Sequence, residues 1–351
     1  MGLLYTYGEI ARRTDKGRKR KTGVVSKGGF FVKIVVLERS SVGMDVSIDC
    51  FNELGEVTAY NNTQYEEIAE RVKDADIIVA NKSRLNEDTL KDAPNVKLIC
   101  EFATGFDNVD IPYCKSRGIA VSNVRNYCTE MVAQHTFALA LFLTEKLRHY
   151  DDYVKTGKYA SQDRFSNFDI PFLELAGKTW GVIGMGNIGR RVAKIAEAFG
   201  CKVIFYSVTG NSKVTDYERV DLDRILRESD YLSIHCPLSD LTRDLIDADA
   251  FSKMKKTAYI INVARGPIIN EEALYDALMN DKIAGAGLDV LSKEPMAKDS
   301  PLQRIQDSSR LIVTPHLAWA SVEARERCVS INYDNIKAFL EGRELNRVDL
   351  A

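Results

Sequence analysis

The sequence predicts an α/β protein made of two doubly wound parallel-sheet domains with a cleft between them. Short β-branched runs alternate with amphipathic helical patterns, and such alternation builds βαβ units around a parallel sheet. One long helical pattern, from 129 to about 153, interrupts the alternation, and a second series starts at Lys178. The 351 residues suffice for two domains of ordinary size, each burying its own core.

The first series has β-branched runs at 33–38 (KIVVLE), 76–81 (DIIVAN), 97–103 (KLICEFA) and 119–124 (IAVSNV). Between them, the stretch 63–75 sets Ile68 and Val72 on one helical face and charges on the other, as a helix covering a sheet requires. The long helical pattern contains the apolar run TFALALFL at 136–143, far short of the roughly 20 residues of a membrane span, so it reads as a buried helix. Strands of the second series are expected from 178 (KTWGVIGMG) and at 202–207, 231–236, 258–264, 284–290 and 311–316, followed by a helix over 321–341 that packs back on the first domain. The resulting division is a first domain of 31–123 and 324–351, a second of 124–323, and a basic extension over 1–30. That extension carries RRTDKGRKRK at 12–21 and too little apolar surface to fold alone. Met1-Gly2 with Thr6 matches a myristoylation pattern only formally, because so short a pattern arises by chance.

Hydrophobic content of 45%, charged content of 28% and a net charge of −2 are those of a soluble globular protein and call for neither nucleic acid nor membrane. The seven cysteines are odd in number and show no C-x-x-C pairing, which argues against a disulfide framework and a zinc site and for a reducing cytoplasm. No H-E-x-x-H or close His/Cys/Asp cluster points to a metal, and no G-x-S-x-G marks a nucleophile elbow.

Gly184, Gly186 and Gly189 form G-x-G-x-x-G directly after an apolar strand and at the mouth of an Ala-rich helix. The first glycine permits the tight turn, the second lets backbone approach a pyrophosphate, and the third lets helix and strand pack closely. The helix N-terminus offers free N–H groups and a positive dipole to that anion. About 20 residues on, where an NAD site usually carries an acid, stands Ser207. It does not repel a 2′-phosphate, and Lys213 is the next cation along the chain, so both NAD and NADP are admitted.

Ligands of doubly wound sheets collect beyond the carboxyl ends of the strands. Arg265, Asp289, Glu294 and His316 follow successive strand ends here. A guanidinium fork can hold a carboxylate bidentately and polarise the adjacent carbonyl, which suits Arg265. An imidazole titrates near working pH and can exchange a hydroxyl proton, which suits His316, while a carboxylate on its other nitrogen, suiting Glu294, would fix the tautomer. His235 also ends a strand and could line the cofactor groove; His135 and His149 lie in the long helix and read as structural.

These segments resemble the D-isomer-specific 2-hydroxyacid dehydrogenase family from about Phe31 to the end. The resemblance rests on GVIGMGNIGRRVA, NVARGPIIN, GLDVLSKEP and TPHLAWAS, with ATGFDNVD at 103–110 similar to the family's substrate loop and 123–136 to its hinge segment. It implies a flavodoxin-like substrate domain and a Rossmann dinucleotide-binding domain, a small 2-keto or 2-hydroxy acid substrate, and a homodimer. It makes Arg265 the group that binds and polarises substrate, His316 the acid/base and Glu294 its support, with Thr104 and Gly105 binding the carboxylate. The cofactor residues it implies are Gly184, Gly186, Asn187, Ile188, Gly189, Ser207, His235, Pro237, Val263, Ala264 and Asp289, the last holding the nicotinamide carboxamide. Within the family NKS at 81–83, the MVAQHTFALAL helix and HLAWASVEARER look most like the glycerate dehydrogenase or hydroxypyruvate reductase branch. Phosphoglycerate and D-lactate dehydrogenases, and a dinucleotide-sensing corepressor or scaffold, are the alternatives.

Overall fold

The computed structural model describes residues 32–350; the basic tract at 12–21 and the Met1-Gly2 pattern lie outside the described residues. The described chain divides into two compact units, one of residues 32–124 and 329–350 and the other of residues 125–328.

The first unit contains β1 (Lys33–Val36), β2 (Glu56–Ala59), α1 (Tyr65–Val72), β3 (Ile77–Ala80), α2 (Glu87–Leu90), β4 (Leu98–Glu101), α3 (Ile111–Ser116) and β5 (Ala120–Ser122). Its sheet is wholly parallel in the order β2-β1-β3-β4-β5, a flavodoxin-like arrangement. β3 and β4 are buried along their length, which is why they read as continuous rather than alternating apolar runs. β2 was not expected from sequence: its residues EVTA are exposed or half-buried at the sheet edge and carry no apolar signal. Helix starts follow side-chain chemistry, with Asn86 accepting from Thr89 N and Asp110 from Tyr113 N. Ile68 and Val72 of α1 are buried as their spacing predicts.

The second unit opens with α4 (Thr129–Thr144) and α5 (Leu147–Lys155). A single helix was expected here, but Lys146 is left-handed (φ 54°) and its amine reaches Tyr259 Oη and Ser309 O, each at 3.1 Å. The left-handed residue separates the two helices, and these distant acceptors hold its side chain. Then follow β6 (Thr179–Ile183), α6 (Asn187–Ala198), β7 (Lys202–Tyr206), β8 (Glu218–Arg219), α7 (Leu222–Glu228), β9 (Tyr231–Ile234), α8 (Ala248–Lys253), β10 (Tyr259–Asn262), α9 (Glu271–Met279), β11 (Gly285–Leu288) and β12 (Leu311–Val313). The parallel order β12-β11-β10-β9-β6-β7-β8 is Rossmann-like, with its switch point between β6 and β9. One face of this sheet packs Ile204, Ile234 and Ile260 against the helices. The other packs α4 on a buried aromatic row, Phe137 on Trp180 (4.6 Å), Trp180 on Tyr231 (5.2 Å) and Tyr231 on Tyr259 (5.6 Å). The apolar run of α4 is therefore a buried helix, and no helix among the described residues is long and apolar enough to cross a membrane.

α10 (Val322–Leu340) closes the chain, and its Asn332 and Asn335 donate to the carbonyls of Glu101 and Asn123, both at 3.0 Å. All seven cysteines are unpaired, and five of them are buried.

Candidate active site

The carboxyl ends of β6 and β9 meet at the switch point of the second unit. Gly184 takes φ 93°, and a Cβ there would lie 2.7 Å from Cys236 N, so only glycine allows the turn to press on the β9 end. A Cβ on Gly189 would stand 2.1 Å from Gly184 O, whereas one on Gly186 would meet nothing within 4 Å. The third glycine is thus needed for packing, and the second leaves bare backbone at the mouth of α6. Beside it His235 is fixed through its amide, which donates to Ile183 O at 2.8 Å. Both of its ring nitrogens are screened from water and have no partner among the described residues. Burial pushes its pKa down to about 3, so the ring is neutral. Orphaned buried polar atoms and a bare helix N-terminus are what a dinucleotide would satisfy, so these residues fit such a cofactor.

Asn187 opens α6 and donates to Asn126 Oδ1 at 2.5 Å, while Arg190 donates back to Asn187 Oδ1 at 2.6 Å. Asn126, left-handed at φ 61°, was not singled out from sequence. Ile188 and Ala264 are half-buried, Val263 is buried and Pro237 is exposed. Ser207 follows β7 in a turn closed by Gly210 N donating to Ser207 O at 3.0 Å.

Arg265 follows β10 and is half-buried, with Nη1 donating to Ala264 O at 2.8 Å. Asn262, buried at the end of β10, donates to Arg265 O (2.9 Å) and accepts from Ala264 N (3.0 Å), fixing the backbone on both sides. A Cβ on Gly266 would fall 1.9 Å from the carbonyl carbon of Leu291, so the arginine segment lies backbone to backbone on the glutamate segment. Leu291 N in turn donates to Glu294 Oε1 at 3.0 Å. The other oxygen, Glu294 Oε2, lies 2.7 Å from His316 Nδ1. That carboxylate assigns the proton to Nδ1 and leaves Nε2, which has no protein partner among the described residues, as a nitrogen able to exchange a proton.

His316 is itself left-handed (φ 56°), and its amide donates to Asp289 O at 2.9 Å. Asp289, 1% exposed, accepts from Thr314 Oγ1 (2.6 Å), Leu317 N (2.7 Å) and Ala318 N (2.7 Å). Burial by itself raises the pKa of this carboxyl, but bonds from His135, Thr314, Ala318 and Leu317 outweigh it and hold the group below its ordinary value. His135 Nε2 stands 2.9 Å from Thr314 Oγ1 and 3.4 Å from Asp289 Oδ1. The carboxylate expected to face a carboxamide also holds the turn that carries His316, and His135 of α4 backs it.

In the first unit, Thr104 Oγ1 donates to Val124 O and Asn123 Nδ2 to Thr104 O, both at 2.7 Å. The loop after β4 is held from its far side too, by Asn108 Nδ2 donating to Ser83 O (2.9 Å) and Glu101 Oε1 (3.2 Å). Ser83 is itself fixed because Glu38 accepts the amides of Asn81, Lys82 and Ser83 at 2.7–3.1 Å.

Residues 137–318 match the family model described as D-isomer specific 2-hydroxyacid dehydrogenase, NAD binding domain. The chain is 40% identical to glycerate dehydrogenase of Methylorubrum extorquens over 318 residues, covering 90% of this chain and 99% of that one. It is 37% identical to hydroxypyruvate reductase of Blautia hydrogenotrophica, covering 91% of this chain and all of the other. Among solved structures, the NADPH-dependent glyoxylate/hydroxypyruvate reductase of Sinorhizobium meliloti, in complex with NADP and malonate, superposes with a TM-score of 0.78 at 26% identity, covering 91% and 97% of the two chains.

Proposed function

The chain belongs to the D-isomer-specific 2-hydroxyacid dehydrogenase family, NAD(P)-dependent oxidoreductases of CH–OH donors, and on that premise we propose that it interconverts hydroxypyruvate and D-glycerate, or glyoxylate and glycolate. The observation that carries this reading is the Glu294–His316 pair, 2.7 Å apart, with the distal imidazole nitrogen left for a substrate oxygen.

When bound, the nicotinamide cofactor supplies or accepts the hydride. The loop of Gly184, Gly186 and Gly189 with Asn187 and Ile188 holds its pyrophosphate, and Ser207, His235, Pro237, Val263 and Ala264 line the rest of its groove. Arg265 anchors the substrate carboxylate with its fork and polarises the neighbouring carbonyl. In the first unit, Thr104 and Gly105 offer backbone amides suited to a carboxylate. His316 Nε2 gives the proton that the reduced carbonyl oxygen needs and recovers it in the reverse direction. Glu294 orients the ring and stabilises the imidazolium that precedes proton delivery. Asp289 holds the nicotinamide carboxamide and, through the turn it braces, positions His316.

A homodimer in the cytoplasm completes the proposal. Phe165, Phe168, Phe172 and Leu173 of the second unit are exposed, Phe165 at 90%, and so many exposed apolar side chains within one stretch of chain suit burial against a second copy of the chain. Seven unpaired cysteines suit a reducing compartment. Light scattering on wild type and on Phe165→Ser/Phe168→Ser tests the assembly: dimer and monomer respectively are expected, and a monomeric wild type overturns it.

The activity is tested by following oxidation of NADH and NADPH with hydroxypyruvate, glyoxylate, pyruvate, phenylpyruvate and 3-phosphohydroxypyruvate. Fastest turnover of hydroxypyruvate or glyoxylate is expected. Preference for another acid overturns the substrate assignment, and cofactor binding without any turnover favours a dinucleotide sensor.

A further inference from the structure

We propose that Arg219 recognises the 2′-phosphate of NADP and makes this enzyme prefer NADPH. The inference rests on reading the second unit as dinucleotide-binding, and it concerns one position in that groove. At the end of β7, where an acid would grip the ribose hydroxyls and repel a 2′-phosphate, the chain has the half-buried hydroxyl of Ser207. The next cation along the sequence after Ser207 is Lys213. The fold supplies another, because β8 adds to the sheet edge in register with β7 and pairs Arg219 with Phe205, two residues before Ser207.

From there Arg219 Nη1 donates to Gly210 O at 2.7 Å. Gly210 is left-handed (φ 71°) and closes the turn that begins at Ser207. One N–H of the fork is thus spent on fixing the turn, and the rest have no protein acceptor among the described residues. Nor is the charge neutralised by its neighbour: Glu218 is taken by Arg224 (2.6 Å) and Lys202 (3.7 Å), and Asp221 caps α7. An exposed, pre-oriented guanidinium beside a hydroxyl-bearing turn is a phosphate receptor.

The first test is calorimetric binding of adenosine 2′,5′-bisphosphate and of 5′-AMP, which share every group except the 2′-phosphate. Wild type is expected to bind the bisphosphate about 10- to 100-fold more tightly, the range for charge-assisted hydrogen bonds, and Arg219→Ala to lose most of that ratio. Arg219→Lys, keeping charge without the fork, should recover part of it. In turnover, the NADPH-to-NADH ratio of kcat/KM should fall by a similar factor in Arg219→Ala and invert in Ser207→Asp. Equal binding of the two nucleotides by wild type, or an undiminished ratio in Arg219→Ala, overturns the proposal while leaving the dehydrogenase reading intact. Failure to bind either nucleotide or either cofactor removes the dinucleotide reading, and the proposal with it.

Discussion

His316 adopts a backbone conformation that a non-glycine residue occupies only when its surroundings impose it, at a cost of about 1–3 kcal/mol. Asp289 supplies the constraint, holding the amides of Leu317 and Ala318 with its carboxylate and that of His316 with its carbonyl. Asp289→Asn would turn an amide NH2 toward one of these N–H donors. It should lower kcat more than it raises KM and destabilise the fold by about 1–3 kcal/mol, read by steady-state kinetics and urea unfolding. His316→Ala should lower kcat about 10²- to 10⁴-fold with little change in KM. Arg265→Ala should instead raise KM for the keto acid. Near-wild-type rates in both single variants would sink the site assignment.

Among the elements, two glycines make contrasting demands. Gly266 sits where the arginine and glutamate segments touch through backbone, and a methyl there would fall 1.9 Å from the carbonyl carbon of Leu291. Gly266→Ala should therefore push the segments apart, costing about 1–3 kcal/mol of stability and roughly 10²-fold in turnover. Gly186 faces open space with ordinary φ, so Gly186→Ala should leave thermal unfolding unchanged while weakening cofactor binding. If both variants unfold alike, the distinction between packing glycine and cradle glycine is wrong. Edge strands are the elements hardest to anticipate. β2 and β8 bury little, so neither carries the apolar run that marks β3 or β10. The edge strand β8 is also what brings Arg219 to the turn after β7.

Across the whole molecule, two buried ionisable groups tilt the stability curve in opposite directions. In the first unit, Glu101 is wholly buried, and that burial raises its pKa well above 4.5. The folded state keeps a proton that the unfolded state releases, so stability is full below pH 4.5 and declines as pH rises toward the folded value. Glu101→Gln should raise the unfolding midpoint at pH 8 more than at pH 5; an equal change at both would mean the carboxyl is ionised in the fold. In the second unit, His235 stays neutral down to about pH 3 while the unfolded chain takes a proton near 6.5, so stability falls as pH drops through that window. The alternation of apolar runs and helices, the glycine loop and the strand-end Arg265, Glu294 and His316 were legible because each is a local pattern whose physics acts over a few residues. The break at Lys146, the engagement of Asp289 with His135 and the His316 turn, the Asn126–Asn187 bond and the approach of Arg219 to Gly210 were decided by the tertiary structure alone. Each joins groups nine or more residues apart, and a hydrogen bond depends on where the fold brings its partners, which residue order does not display.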